Sequence, residues 1–292
     1  VLNLLIGGLS TLACTFSNRQ LLWLTHGVAG FLFFIYRLTP HRRYIQTNLI
    51  TGLNCSQAEA DKLAHRHIQN LTFALAEFLR FPLFKQNTSP LDWQTLGFHH
   101  FLKAYFKNKG VILVSAHYGC WELIPAFIGQ TGQPITTLVQ RPSIKAFDTL
   151  FTSFRQFANV KTCYNDSLSG LRPIFRALKN HEIVALVIDQ HGESETLIGD
   201  FMGHRVSIPE GPDFLSRRTG AEIVPVFTFR EGFTHKIQFF PSLKAQDFQN
   251  SAELMQTLYD QIETMVKQHP QEWLWSYNRW DKYADCPQCS PE

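Results

Sequence analysis

Past Gly110 the chain alternates short apolar runs with amphipathic stretches, and this pattern predicts an α/β fold. The run Val111 to Val114, bounded by Gly110 and by the small pair Ser115 and Ala116, reads as a buried strand. After it the pattern predicts a helix over 121–130, a strand over 135–139, helices over 145–158 and 168–179, and a strand over 183–188. Further strands are predicted over Glu222 to Phe229 and Lys236 to Phe240, and a last helix over Ala252 to Gln268. Strands alternating with helices imply βαβ units and a mainly parallel sheet flanked by helices. Upstream, Ala60, Leu63, Ile68, Leu71, Ala74 and Phe78 form a helical stripe, opened by Ser56 as a cap with Glu59 three residues on.

The first forty residues follow a different pattern. Leu21 to Leu38 is apolar but for Thr25, His26 and Arg37, and Leu2 to Phe16 is nearly as apolar. Neither run alone reaches the ~20 residues of a spanning helix. Together they suit one tilted span, a re-entrant pair or a helix lying in the membrane interface. The alternative is an ordinary buried helix. Phe31, Phe33, Phe34 and Tyr36 lead into Arg37, His41, Arg42 and Arg43, and this order favours membrane attachment with an exit on the cytoplasmic side. No positive residue precedes the first apolar run, so a secretory signal is not expected.

Composition supports a greasy partner. Among 292 residues, 17% are charged and 13% aromatic, with 25 Phe and 6 Trp, which favours a membrane or lipid partner. The net charge of +3 comes without a Lys/Arg stripe or interleaved aromatics, so no nucleic-acid partner is expected. Cys14, Cys55, Cys120 and Cys163 are scattered, and Cys286 and Cys289 supply only half of a zinc site, so reduced thiols and no metal are expected.

The strand end before the predicted helix over 121–130 carries the chemistry of greatest interest. His117 and Glu122 lie five positions apart where a strand becomes a helix, and α/β folds commonly keep their chemistry at such places. A loop-to-helix turn brings Glu122 back onto His117, and a carboxylate on one imidazole nitrogen leaves the other free as a base. On spacing alone, a capped or solvent-facing histidine is the commoner reading. Asp189 and Gln190 end the strand over 183–188, where Asp189 reads equally as a turn former before Gly192. Arg141 and Arg155 suit a phosphate or carboxylate as well as an ordinary surface, and Arg217 and Arg218 fall in the last turn of a helix running from Gly211 to Gly220. No G-x-S-x-G elbow, P-loop, G-x-G-x-x-G or H-E-x-x-H is present, and Cys120 reads as a small packing residue. Without a covalent nucleophile, a His/Glu pair suits deprotonation of a hydroxyl that attacks a thioester.

With these residues placed, the chain resembles the late acyltransferases of lipid A biosynthesis, a bacterial family that also takes in the phosphatidylinositol mannoside acyltransferases. The resemblance runs from the apolar N-terminus through Asn48-Leu49, the H-x4-[DE] motif at His117 and Glu122, Asp189-Gln190, and Phe201-Met202-Gly203. It continues through GPDFLSRRTGAEIVPVF to the closing HPQEWLWSYNRW. It implies a glycerolipid-acyltransferase-like fold, with 1–50 as a membrane-anchoring helical segment and 51–292 as the acyltransferase domain. It also implies an enzyme at the cytoplasmic face of the bacterial inner membrane that takes an acyl chain from acyl carrier protein or coenzyme A to a lipid hydroxyl, with no metal or other cofactor. His117 would be the base and Glu122 its orienting partner, while Arg155, Asp189, Gln190 and Arg218 would contact substrate. Two departures stand out: Asn278-Arg279 replaces the usual pair of arginines, and Gly192 to Gly203 is more acidic than the family's apolar loop. The competing readings are a family member with another acceptor, a non-catalytic lipid-binding homologue, and a soluble hydrolase using Cys120 or Asp189.

Overall fold

A computed structural model describes residues 2–39, 41–86, 91–166, 170–190 and 197–280. Four helices come first: α1 (Leu2–Thr15), α2 (Asn18–Arg37), α3 (His41–Leu53) and α4 (Gln57–Phe78). Ser17 divides the first two, because its side chain and that of Gln20 form a reciprocal cap that starts α2 anew. The predicted cap at Ser56 is present, with Glu59 returning the hydrogen bond. Leu21, Thr25 and Ala29 recur every four residues as the buried stripe of α2, which packs on α4.

The rest of α2 is uncovered. Of the 20 exposed large hydrophobic side chains among the described residues, 12 lie between Leu4 and Leu38, so the exposed grease is concentrated on α1 and α2. Among the described residues no single helix is long and apolar enough to cross a membrane. Helix α2 and Arg42–Leu53 pass that test only as a pair, bent by 96°. Residue 50, the expected end of the anchoring segment, falls inside α3, whose Ile45 and Leu49 are buried in the main core.

The α/β unit begins with β1 (Asp92–Leu96), α5 (Phe98–Tyr105), β2 (Val111–Ser115), α6 (Leu123–Gln130), β3 (Ile135–Val139) and α7 (Lys145–Phe157). It continues with β4 (Val160–Tyr164), α8 (Arg172–Lys179), β5 (Ile183–Val187), the hairpin β6 (Ile198–Phe201) and β7 (His204–Ser207), and α9 (Gly211–Thr219). Strands β8 (Glu222–Glu231) and β9 (Thr234–Phe239) and helix α10 (Ser251–Gln268) complete it. Seven strands form one sheet in the order β1-β9-β8-β2-β5-β3-β4, and every neighbouring pair is parallel except β8 with β9.

Both faces of this sheet are covered. Val111 and Leu113 point into a core shared with α5, α6 and α7, while Ile112 and Val114 point into one shared with α8, α9 and α10. Successive strand residues face opposite ways, so a strand buried on both sides needs an uninterrupted apolar run, as β2 has. Four strands are missing from the sequence reading: β6 and β7 of the separate hairpin, and β1 and β4, which are the two edges of the seven-stranded sheet. Asp92 and Gln94 of β1 and Lys161 of β4 are exposed, so neither strand has an uninterrupted apolar run to detect.

Candidate active site

In the sheet, Ser115 of β2 pairs with Val187 of β5. Two residues beyond each of these strand ends lie His117 and Asp189, so the parallel register itself brings the two side chains together. Asp189 Oδ1 accepts from the His117 backbone N–H at 3.0 Å and lies 2.8 Å from Nδ1, while Trp273 Nε1 donates to Oδ2 at 2.8 Å. Burial pushes the Asp189 carboxyl up, but the His117 charge and the hydrogen bonds from His117 and Trp273 outweigh it and hold the group below the usual aspartate range. An ionised Asp189 requires the proton on Nδ1 and leaves the lone pair of His117 on Nε2. Burial likewise works to lower the His117 pKa, and the Asp189 carboxylate, helped by Glu122, overrides it and raises it. The His117 side chain keeps 22% of its surface exposed, against 2% for Asp189, so the imidazole is the reachable end of the pair.

The loop after His117 is strapped from outside by the closing segment. Gly119 N–H donates to Glu272 O at 2.9 Å and Leu274 N–H donates to His117 O at 3.0 Å, on either side of a bridge between Tyr118 and Trp273. Gly119 has a φ of +58°, and a Cβ there would lie 1.9 Å from the Thr228 carbonyl oxygen, so both conformation and space demand glycine. Arg279, fully buried, donates to Ser207 O at 2.6 Å and to the Tyr259 hydroxyl at 3.0 Å. Asn48 donates to the carbonyls of Trp275 and Tyr277, at 2.9 and 3.1 Å. The HPQEWLWSYNRW motif therefore builds the wall behind Asp189. Trp273 was not singled out in the sequence, although a buried indole N–H needs an acceptor and an unpaired strand-end carboxylate is a natural one.

The expected pairing of Glu122 with His117 is corrected by this arrangement. Helix α6 starts at Leu123, with Glu122 as its N-cap residue rather than a member of its first turn. From there Glu122 turns towards α7, where Arg155 grips it with Nε to Oε2 at 2.9 Å and Nη2 to Oε1 at 2.6 Å. The orienting role falls to Asp189, and Arg155 is committed to a planar two-point ion pair.

The other expected residues divide. Gln190 is half-buried directly after Asp189. Arg218 does not join them: α9 is capped by Gly220, two residues before β8 starts beside the beginning of β2, whereas His117 follows the end of β2. Five strand residues at ~3.3 Å each separate the two levels by about 16 Å, and Arg218 instead lies over the Phe214 ring. Arg141 is held by Asp148 and Asp166 over the Tyr164 ring. Cys120 is buried with its thiol directed at Ala74 O, and burial pushes its pKa well up, which makes it a packing residue as expected. His191, Cys286 and Cys289 lie outside the described residues. The site thus offers a histidine with a buried carboxylate behind it and an accessible second nitrogen, a unit suited to taking a proton from a bound hydroxyl.

Residues 4–282 match the family model described as "Bacterial lipid A biosynthesis acyltransferase". A phosphatidylinositol mannoside acyltransferase of Mycolicibacterium smegmatis is 22% identical over 208 residues, which cover 70% of this chain and 67% of that protein. Among solved structures, the 1-acyl-sn-glycerophosphate (LPA) acyltransferase PlsC from Thermotoga maritima aligns over 83% of this chain and 96% of its own, at 12% identity. Its TM-score is 0.40, a likeness too slight to argue from.

Proposed function

The chain belongs to the bacterial lipid A biosynthesis acyltransferase family and is an acyltransferase, and from that premise we propose that His117 is the general base for transfer of a fatty acyl chain to a lipid hydroxyl. The donor in this reading is a thioester of acyl carrier protein or coenzyme A, and the acceptor is a lipid A precursor or a related glycolipid. The observation that carries it is the His117–Asp189–Trp273 chain at the adjoining ends of β2 and β5.

In this mechanism His117 Nε2 removes the acceptor's hydroxyl proton as that oxygen attacks the thioester carbonyl. The C–S bond then breaks, and the departing thiolate takes the proton back from the imidazolium. Asp189 holds the ring in the required tautomer and stabilises the positive charge while it lasts, and Trp273 keeps Asp189 in place. Glu122 stays near enough to favour the imidazolium through its charge, while Arg155 fixes its direction. Gln190, next to Asp189, is assigned to contact with substrate.

The exposed apolar side chains of α1 and α2, followed by Arg37 and Arg43, support attachment of this face to the cytoplasmic leaflet of a bacterial inner membrane, with the helices lying in the interface. A hydrolase using Cys120 gains no support, since its thiol is buried and its pKa pushed up.

The reading is tested by mass spectrometry of lipids from cells with and without the gene, followed by transfer with the purified protein. A glycolipid heavier by one acyl chain, made from acyl carrier protein or coenzyme A thioesters, is the expected result. Thioester cleavage that yields only free fatty acid would overturn it.

A further inference from the structure

Helices α8 and α9 lie side by side over the sheet, and between them they carry five cations, Arg172, Arg176, Lys179, Arg217 and Arg218, against the single carboxylate of Asp213. That local excess is larger than the +3 of the whole chain. On α8, Arg172, Arg176 and Lys179 recur at helical spacing and share one exposed side, while Ile174, Ala177 and Leu178 are buried. On α9, Phe214, Arg217 and Arg218 are exposed together. The two sides adjoin, since the Phe175 and Phe214 rings meet edge to face at 5.8 Å, and Phe214, with Arg218 5.1 Å from its ring, is left 45% exposed.

Local rules of helix stability do not favour this arrangement. Arg172 opens α8 at the end where the macrodipole repels a cation, and Arg172 and Arg176 form a like-charge pair at i,i+4, both of which weaken a helix. Among the described residues Arg217 finds a carboxylate, in Asp213 at 2.9 Å, and Arg172, Arg176, Lys179 and Arg218 make no ion pair. A row of unmatched cations around an exposed aromatic ring fits an acidic protein surface with an apolar side chain at its centre.

Place in the fold selects which acidic protein. Helix α8 runs from the end of β4 back to the start of β5, so Arg172 lies at the level of the strand carboxyl ends, which is the level of His117. Helix α8 packs over β5 and β3, and β5 is the direct neighbour of β2, so only about 5–10 Å separates α8 from β2 across the sheet. A phosphopantetheine arm has about fourteen bonds between the serine oxygen of its carrier and its sulfur, the length of five extended residues or roughly 17 Å, and spans that gap. The exposed apolar side chains of α1 are elsewhere: α1 packs on α7, whose core lies on the opposite face of the sheet from α8 and α9. A carrier can therefore dock while the apolar helices rest on a membrane.

We propose that the surface of α8 and α9 is the docking face for an acidic acyl carrier protein, which seats an acidic helix along Arg172, Arg176 and Lys179 and delivers its thioester arm past the start of α8 to His117. The proposal rests on the thioester-donor reading above and adds where, and on what carrier, the donor arrives.

The test reads binding apart from chemistry. Full-length His117→Ala protein is titrated at low ionic strength against a fluorescein-labelled bacterial dodecanoyl-acyl carrier protein, and binding is followed by anisotropy. Adding Arg172→Glu with Arg176→Glu is expected to raise Kd at least tenfold with the melting temperature unchanged, whereas Arg172→Lys with Arg176→Lys keeps binding near that of the parent. In transfer assays with His117 intact, the loss on charge reversal should fall on KM for the carrier thioester and not on kcat. Binding that is lost on charge reversal supports the docking face even if His117 proves not to be the base. No binding by the His117→Ala protein, or binding indifferent to the charge reversal, overturns it. So does a reversal that leaves carrier binding intact and instead weakens flotation with anionic liposomes, which would assign this face to a membrane.

Discussion

Asp189 and Glu77 are both buried carboxylates that hold a histidine and one further donor, yet they sit at opposite ends of usefulness to a substrate. Asp189 takes His117 and Trp273 at the carboxyl ends of the parallel strands, and the His117 side chain is 22% exposed. Glu77 of α4 takes Arg230 of β8 and His235 of β9, the latter at 2.9 Å, and the His235 side chain is 1% exposed. The first histidine has a free nitrogen in reach of a ligand, whereas His235 Nδ1 is buried without a hydrogen-bond partner among the described residues. The Glu77 network ties α4 to the antiparallel pair β8 and β9 and works as a fastener. Acid–base constellations are therefore sorted by access, not by residue type.

The largest effects expected from this comparison come from replacing each carboxylate. Asp189→Asn keeps shape but favours the wrong tautomer of His117, so turnover should fall by roughly 10²–10⁴, the usual worth of a positioned acid or base, with a small change in melting temperature. Glu77→Ala should do the reverse. Leaving Arg230 and His235 without their counter-charge costs roughly 3–5 kcal/mol of stability in urea unfolding, while activity per folded molecule persists. If Asp189→Asn unfolded the protein and Glu77→Ala silenced a folded one, the assignment of roles would be inverted.

Next in size is the loop. Gly119→Ala forces a methyl group against the Thr228 carbonyl oxygen and an unfavourable φ, so it should lose about 1–3 kcal/mol of stability and displace His117. Thermal melting and the acyl-transfer rate both read this change. A variant with wild-type values in both would show that the strap from the closing segment does not position the base.

The two networks also separate by pH. Burial works to raise the Glu77 pKa, but His235 and Arg230 bring it down to about 2, below the ~4.3 of an unfolded chain. A depressed carboxyl contributes stability that is fully present above the unfolded value and lost as pH falls towards the folded one, so acid unfolding should set in between about pH 4 and 2. His117 is shifted the other way, above the ~6.5 of a free imidazole, and must be neutral to act as a base. Activity should therefore fall on the acid side from above pH ~6.5, in a range where the fold is intact, and circular dichroism alongside the rate measurement tells the two events apart.

Much of this was legible in the sequence, for reasons of pattern. Strands buried on both faces leave uninterrupted apolar runs, which is why β2 and β5 could be placed and His117 and Asp189 recognised at their ends. Pairing between residues 72 positions apart could not be read, because it depends on β2 and β5 being neighbours with Ser115 beside Val187. Local spacing therefore suggested Glu122, five residues away, as the partner of His117. Glu77 and His235 were invisible for the same reason, since a polar residue in a helix or an alternating strand looks solvated until the long-range partner is known. The ordered motifs identified the family, while the contacts within the site depend on strand register.

The smallest effect concerns the uncovered apolar face. Trp23→Glu with Phe31→Glu should weaken flotation with anionic liposomes several-fold without changing the melting temperature, since both side chains are more than half exposed. Equal flotation of variant and parent would remove α2 from the membrane contact.

The account rests most heavily on His117 as the proton acceptor, and transfer of a radiolabelled acyl chain to lipid by purified His117→Ala protein tests it most directly. The prediction is loss of transfer by roughly 10² or more with the fold and liposome binding unchanged. Transfer near the parental rate by that folded variant would contradict it.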